Sequence, residues 1–190
     1  MFDYNDLVVK YSDSFTRVLI PQEKVERIKT LATNIVLKKL SESHHQVDSA
    51  KEFKRFFTGL MGEAAVEQIL DLDIIEWTAG NSKNYNHPDI SKYNIGIKTV
   101  ERNKFPIIFK NNTYEQIICV LSDKIPNLVF VCGLASIPVL NTYQSDDLIL
   151  SPNLKARGVK TGFYGFQYLQ SFSNKEEFEQ LLVKISSKVP

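Results

Sequence analysis

The chain has 190 residues, 43% of them hydrophobic, and its 23 basic side chains nearly balance 22 acidic ones for a net charge of +1. That length supports one domain with a full core, and the charge balance means that any contact with nucleic acid must come from a local basic surface. No apolar run approaches the roughly 20 residues of a membrane helix and no basic leader precedes an apolar stretch, so a soluble, cytoplasmic protein without a membrane partner is expected.

Residues 1–19 alternate weakly, as an extended segment or short strand would. From Pro21 to about Leu40 the spacing predicts a helix: Val25, Ile28, Ala32, Ile35 and Val36 form an apolar stripe, and Pro21 suits a first helical position. Lys24, Arg27, Lys38 and Lys39 lie opposite, as a solvated face or as a track for a DNA backbone. The first 45 or so residues are therefore expected as an N-terminal helical appendage on a core spanning about residues 49–190. His44 and His45 fall in a polar link without a carboxylate or cysteine at ligand spacing and are assigned no role.

Between Ser49 and Leu70, Phe53, Phe56, Phe57, Leu60 and Ala64 recur at helical spacing. Glu67 falls inside that stripe and Glu63 at its edge. A carboxylate facing a core is costly unless it is paired or bound to a metal, so each glutamate either meets a lysine or solvent, or serves a site. Asp73 to Trp77 reads as a short strand, and the polar loop Ala79 to Asn86 leads into His87, Pro88 and Asp89. His87 either faces a turn or assists at phosphate. Asp89, after Pro88, fits the start of a strand.

A tight turn then leads to Ile95–Val100, where Ile95, Ile97 and Thr99 share one face and Gly96, Lys98 and Val100 the other. An acid and a lysine on neighbouring strands either form a surface ion pair or do metal chemistry: the carboxylate ligates a hard cation while the lysine stabilises an attacking water and the charge developing on a phosphate.

Further along, Gln116–Leu121 and Leu128–Cys132 are apolar on successive residues, as central strands covered on both faces are. Cys119 and Cys132 lie in these runs as buried, reduced thiols; a hairpin centred near Ile125 and Pro126 would set them opposite one another and make a disulfide conceivable. Asp146 and Asp147 suit a turn or helix cap. Residues Pro152 to Phe166 combine Lys155, Arg157 and Lys160 with Gly158, Gly162 and Gly165 and with Phe163, Tyr164 and Phe166. This is either a nucleic-acid-contacting loop, its cations on phosphate and its aromatics on bases, or a hairpin with core aromatics. Ser173 or Asn174 caps a last helix with Glu176 and Glu177 in its first turn. Phosphate-binding glycine loops and serine-hydrolase elbows are absent.

The order of a helix with Gly62-Glu63, a strand with Pro88-Asp89 and a strand with Gly96-Ile97-Lys98 resembles the PD-(D/E)xK nuclease superfamily over about Phe53 to Thr99. The resemblance implies an α/β (α+β) restriction-endonuclease-like core, a mixed sheet of four to six strands flanked by helices. It implies a Mg²⁺- or Mn²⁺-dependent DNA endonuclease of a bacterial or phage-infected cell, with Asp89 and Glu63 on the metal and Lys98 on the water and phosphate. A homodimer is a further implication, because a duplex has two strands. Gly96 stands where the motif carries an acid, and Glu67 is the candidate replacement; Glu101 ranks lower because alternation puts it on the Ile97 face. A second departure is that residues 102–114 hold no long helix. The glycine leaves a second reading open, a non-catalytic nuclease-like module that binds nucleic acid or a protein partner in phage or host defence, and a third in which Asp89 and Lys98 simply pair.

Overall fold

A computed structural model describes residues 2–42, 48–78 and 88–186. A short helix α1 (Tyr4–Leu7) and a 3₁₀ turn lead into β1 (Thr16–Leu19), α2 (Gln22–Glu42) and α3 (Ser49–Leu70). The strands β2 (Ile95–Glu101), β3 (Ile107–Phe109), β4 (Glu115–Leu121) and β5 (Leu128–Ala135) follow, then α4 (Ile137–Thr142), β6 (Gln144–Ser145), α5 (Pro152–Ala156), β7 (Lys160–Phe163) and α6 (Lys175–Ser186). The main sheet runs β1-β5-β4-β2, with β2 parallel to β4 and the other pairs antiparallel; β3-β7-β6 form a second, antiparallel sheet. The fold is thus mixed α/β, as the sequence leads one to expect at that level.

Both faces of the main sheet are covered, which explains the unbroken apolar runs of β4 and β5. Ile117 and Cys119 join a core with Val25, Ile28 and Ala32 of α2, Met61, Ala64 and Ala65 of α3, and Phe178 of α6. Ile118 and Val120 face the other way, onto Ile108, Leu140, Phe163 and Phe166. Burial of each such large side chain contributes about 1.5–3 kcal/mol. A bulge between β4 and β5 pairs Ile118 with Gly133 but Cys119 with Val131, leaving Cys132 as the extra residue. Cys119 consequently faces the helices and Cys132 the second sheet, so the conceivable disulfide is excluded and both are buried free thiols.

Local chemistry sets the helix ends. The Asp48 carboxylate accepts from the Lys51 amide at 3.1 Å at the start of α3, and Asp71 closes that helix in the left-handed conformation. At α6 the Asn174 side chain accepts from the Glu177 amide at 2.9 Å while the Glu177 carboxylate reaches back to the Ser173 amide at 2.7 Å.

Three expectations are corrected. Residues 2–42 are no appendage, because β1 is a strand of the main sheet and α2 packs along α3 in the shared core. Asp73 to Trp77 forms no strand; the Ile74 and Ile75 amides donate to the Glu67 side chain instead of a sheet partner. Asp89 begins no strand either: it lies in a bend, followed by one isolated bridge, Ile90 to Ile95, around a 3₁₀ turn over Ser91–Tyr93. Of the two readings of the Pro152–Phe166 segment, Phe163 and Phe166 follow the core one, being fully buried, while Tyr164 is half-buried against Phe2 and Tyr143. Residues 102–114 hold only β3, and the chain crosses from β2 to its parallel neighbour β4 by way of the second sheet.

Candidate functional site at the open edge of β2

β2 ends the main sheet, so its outer edge has backbone groups without a strand partner. Near that edge the Ile97 amide donates to the Asp89 carboxylate at 2.5 Å, and Ile90 bridges to Ile95. The turn between them is fastened to α6: the Tyr93 ring packs on Phe178 at 5.4 Å and its hydroxyl donates to Glu179 at 2.7 Å. A side chain therefore substitutes for a neighbouring strand and is held there rigidly.

Glu63 arrives from the helix side. A Cβ on Gly62 would collide with the Thr99 hydroxyl, so only glycine lets α3 seat directly on β2. That seating carries the next residue, Glu63, to the sheet edge beside Asp89. Lys98 projects to the opposite face of β2, the face on which Val100 meets the second core. There it feels Lys160 of β7 and, from α3, Arg55.

The charges around this edge are mismatched in a specific way. Burial, then the neighbouring Asp89 carboxylate, then Glu67 push the Glu63 carboxyl up to about 8. Burial also raises Asp89, against the pull of the Ile97 amide and Lys98. The Lys98 ammonium is held below the usual lysine range, first by burial and then by Lys160. Neither acid has an ion-pair partner among the described residues.

Glu67, one helical turn from Glu63, has a different fate. Its carboxylate accepts from Lys24 Nζ at 2.5 Å and from the Ile74 and Ile75 amides at 2.7 and 2.6 Å. It borders a cleft of about 370 Å³ with Pro21, Glu23, Lys24, Arg27, Asp73 and Trp77. Its oxygens are thus committed to structure, away from the Asp89 side of the helix. Glu101 is bound by Lys54 at 2.6 Å and by Lys104. Of the three cations expected on nucleic acid, Lys155 lies 3.3 Å from Asp147, Arg157 is exposed at the end of α5, and Lys160 alone stands near Lys98, over the Phe109 ring at 5.1 Å. Asp146 pairs with Lys110 at 2.7 Å. His44, His45 and His87 lie outside the described residues.

The structure adds two residues that the sequence reading passed over. Arg55 adds positive charge near Lys98. The Tyr114 ring lies against Gly96, its Cε2 2.7 Å from where a Cβ would stand, and close enough to feel the Asp89 charge.

No group of three or more metal-ligating side chains occurs among the described residues. Two carboxylates without cationic partners still fit a Mg²⁺ ion, which commonly takes one or two carboxylates and keeps water or phosphate oxygens for the remaining positions. Comparison with family models, curated proteins and solved structures finds no match for this chain.

Proposed function

We propose that the chain is a Mg²⁺-dependent deoxyribonuclease that hydrolyses phosphodiester bonds in DNA. The observation that supports this best is the placing of two carboxyl groups, Glu63 and Asp89, near one another at a sheet edge with Lys98 and Lys160 close by. A divalent cation held by the two acids would relieve their repulsion, lower the pKa of a bound water and offset charge on the phosphate. The chain's own groups divide the remaining work. The Ile97 amide fixes Asp89, and the Gly62 contact fixes Glu63. Lys98 sets an ammonium against the phosphate and draws the attacking water to it, and Lys160 and Arg55 extend the cationic surface along a nucleic-acid backbone.

The helix, bend and strand that supply Glu63, Asp89 and Lys98 follow the order found in PD-(D/E)xK nucleases, which supports relating this core to restriction endonucleases. A second reading, a non-catalytic module that binds nucleic acid, is favoured by Gly96, because the site then offers two acids and no third. Incubation with supercoiled and linear duplex DNA in Mg²⁺, Mn²⁺ or EDTA separates the two. The enzyme reading expects cutting with either metal, none in EDTA, and loss of cutting in Asp89→Ala and Lys98→Ala with parent-like circular dichroism. DNA binding that ignores EDTA, without cleavage under any condition, would replace it with the module.

A further inference from the structure

Position 96 cannot carry a side chain while Tyr114 is in place, because any Cβ there would press on the ring. The two residues are brought together by the parallel register of β2 and β4, which pairs Gly96 with Gln116, two residues past Tyr114. Gln116 is itself fixed, donating to Asn112 at 3.0 Å, and Asn112 donates to the Phe109 carbonyl at 2.9 Å. The space that an acid would occupy in the superfamily motif is therefore filled by a phenol on a braced segment.

That phenol has the properties of a hydrogen-bond donor in waiting. Its hydroxyl makes no hydrogen bond to another described residue, and the side chain is only half-buried, so the oxygen is open to an incoming group. A phenol ionises only at about pH 10, so it keeps its proton at neutral pH. A neutral phenol is a poor ligand for a hard cation but a good donor to an anionic oxygen. Gly96 and Lys98 point to the same face of β2, so the ring and the ammonium lie on one face, and both feel the Asp89 charge.

We propose that Tyr114 is a substrate-contacting residue, its hydroxyl donating a hydrogen bond to a phosphate oxygen of DNA seated between Asp89 and Lys98. The proposal rests on the phosphate-binding reading of this site. It makes Gly96 part of the design and not a lesion, since the glycine admits the ring.

The test compares the parent with Tyr114→Phe, which removes one oxygen and keeps the ring. Binding of a fluorescein-labelled duplex is followed by anisotropy in Ca²⁺, cleavage under single-turnover conditions in Mg²⁺, and thermal unfolding with and without Mg²⁺. The expected result is about tenfold weaker binding and about tenfold or greater slowing of cleavage, the scale of one hydrogen bond to a charged group. The Mg²⁺-induced rise in Tm should be unchanged, because the phenol is no metal ligand. Parent-like binding and cleavage by Tyr114→Phe overturn the proposal while leaving the nuclease reading in place. A parent that binds but never cuts, with weaker binding by Tyr114→Phe, keeps the Tyr114 contact and removes the nuclease. A parent that neither binds nor cuts DNA overturns both.

Discussion

Glu63 and Glu67 are the same residue type, one turn apart on the same helix, yet their surroundings differ in kind. Glu67 is 8% exposed and fully provided for, with a lysine on one oxygen and two backbone amides on the other. Glu63 has no such partners and faces a second carboxylate. Burial alone therefore does not separate an acid satisfied inside the fold from one that is not; the partners do. A charge whose needs are met inside the fold stabilises it, and a charge whose needs are unmet is a cost that a bound cation can relieve.

The sharpest way to break this contrast is Glu67→Ala. It strands Lys24, 26% exposed, and two amides of the 72–77 segment, and should cost about 2–4 kcal/mol in urea unfolding. A loss below about 0.5 kcal/mol would mean that those three bonds contribute little and that Glu67 is as available as Glu63. Next in size is Gly62→Ala. The added methyl must push α3 off Thr99, at about 1–3 kcal/mol in the same assay, and should also slow cleavage by moving Glu63 from Asp89.

The pH dependence of stability sharpens the Glu63 side. In the folded chain this carboxyl gives up its proton near pH 8, against an ordinary value of 4.5. Between those values the folded state holds a proton that the unfolded state has lost, so stability from this group is full below about 4.5 and declines as pH rises through about 8. Glu63→Gln should remove that decline, matching the parent at pH 4 and exceeding it by several kcal/mol at pH 8.5. For the same reason Mg²⁺ should raise the Tm of the parent more at pH 8.5 than at pH 5.5, and that of Glu63→Gln at neither.

Much of the scaffold could be read from local pattern. The stripe from Val25 to Val36 and the spacing from Phe53 to Ala64 mark α2 and α3, because helical period is written within a few residues. The apolar runs at residues 116–121 and 128–132 mark strands covered on both faces for the same reason. What decides the site was not local. Lys24 lies 43 residues from Glu67, and nothing between them says that they meet. The approach of Tyr114 to Gly96 depends on a parallel register, and the opposed facing of Cys119 and Cys132 depends on a bulge that shifts the alternation. Asp89 read as the start of a strand because Pro88 and Asp89 suit an extended chain, but its side chain took the strand's place at the Ile97 amide.

The smallest expected effect separates the three cations that the sequence grouped together. Lys155, Arg157 and Lys160 lie within six residues, and composition gives no reason to rank them. In the fold Lys155 has Asp147 as a partner and Arg157 ends the short helix α5 in solvent, whereas Lys160 stands on β7 where its charge reaches Lys98. A cation that contacts one phosphate contributes close to one unit to the slope of log affinity against log salt, whatever the base sequence. Lys160→Ala should lower that slope by about one and weaken duplex binding a few-fold, equally for unrelated sequences, in anisotropy titrations across a salt series. Lys155→Ala should leave the slope within error, because its ammonium is already shared with a carboxylate. Equal losses from both would place DNA over α5 as well as the β2 edge, and the path of the backbone would then extend along the second sheet.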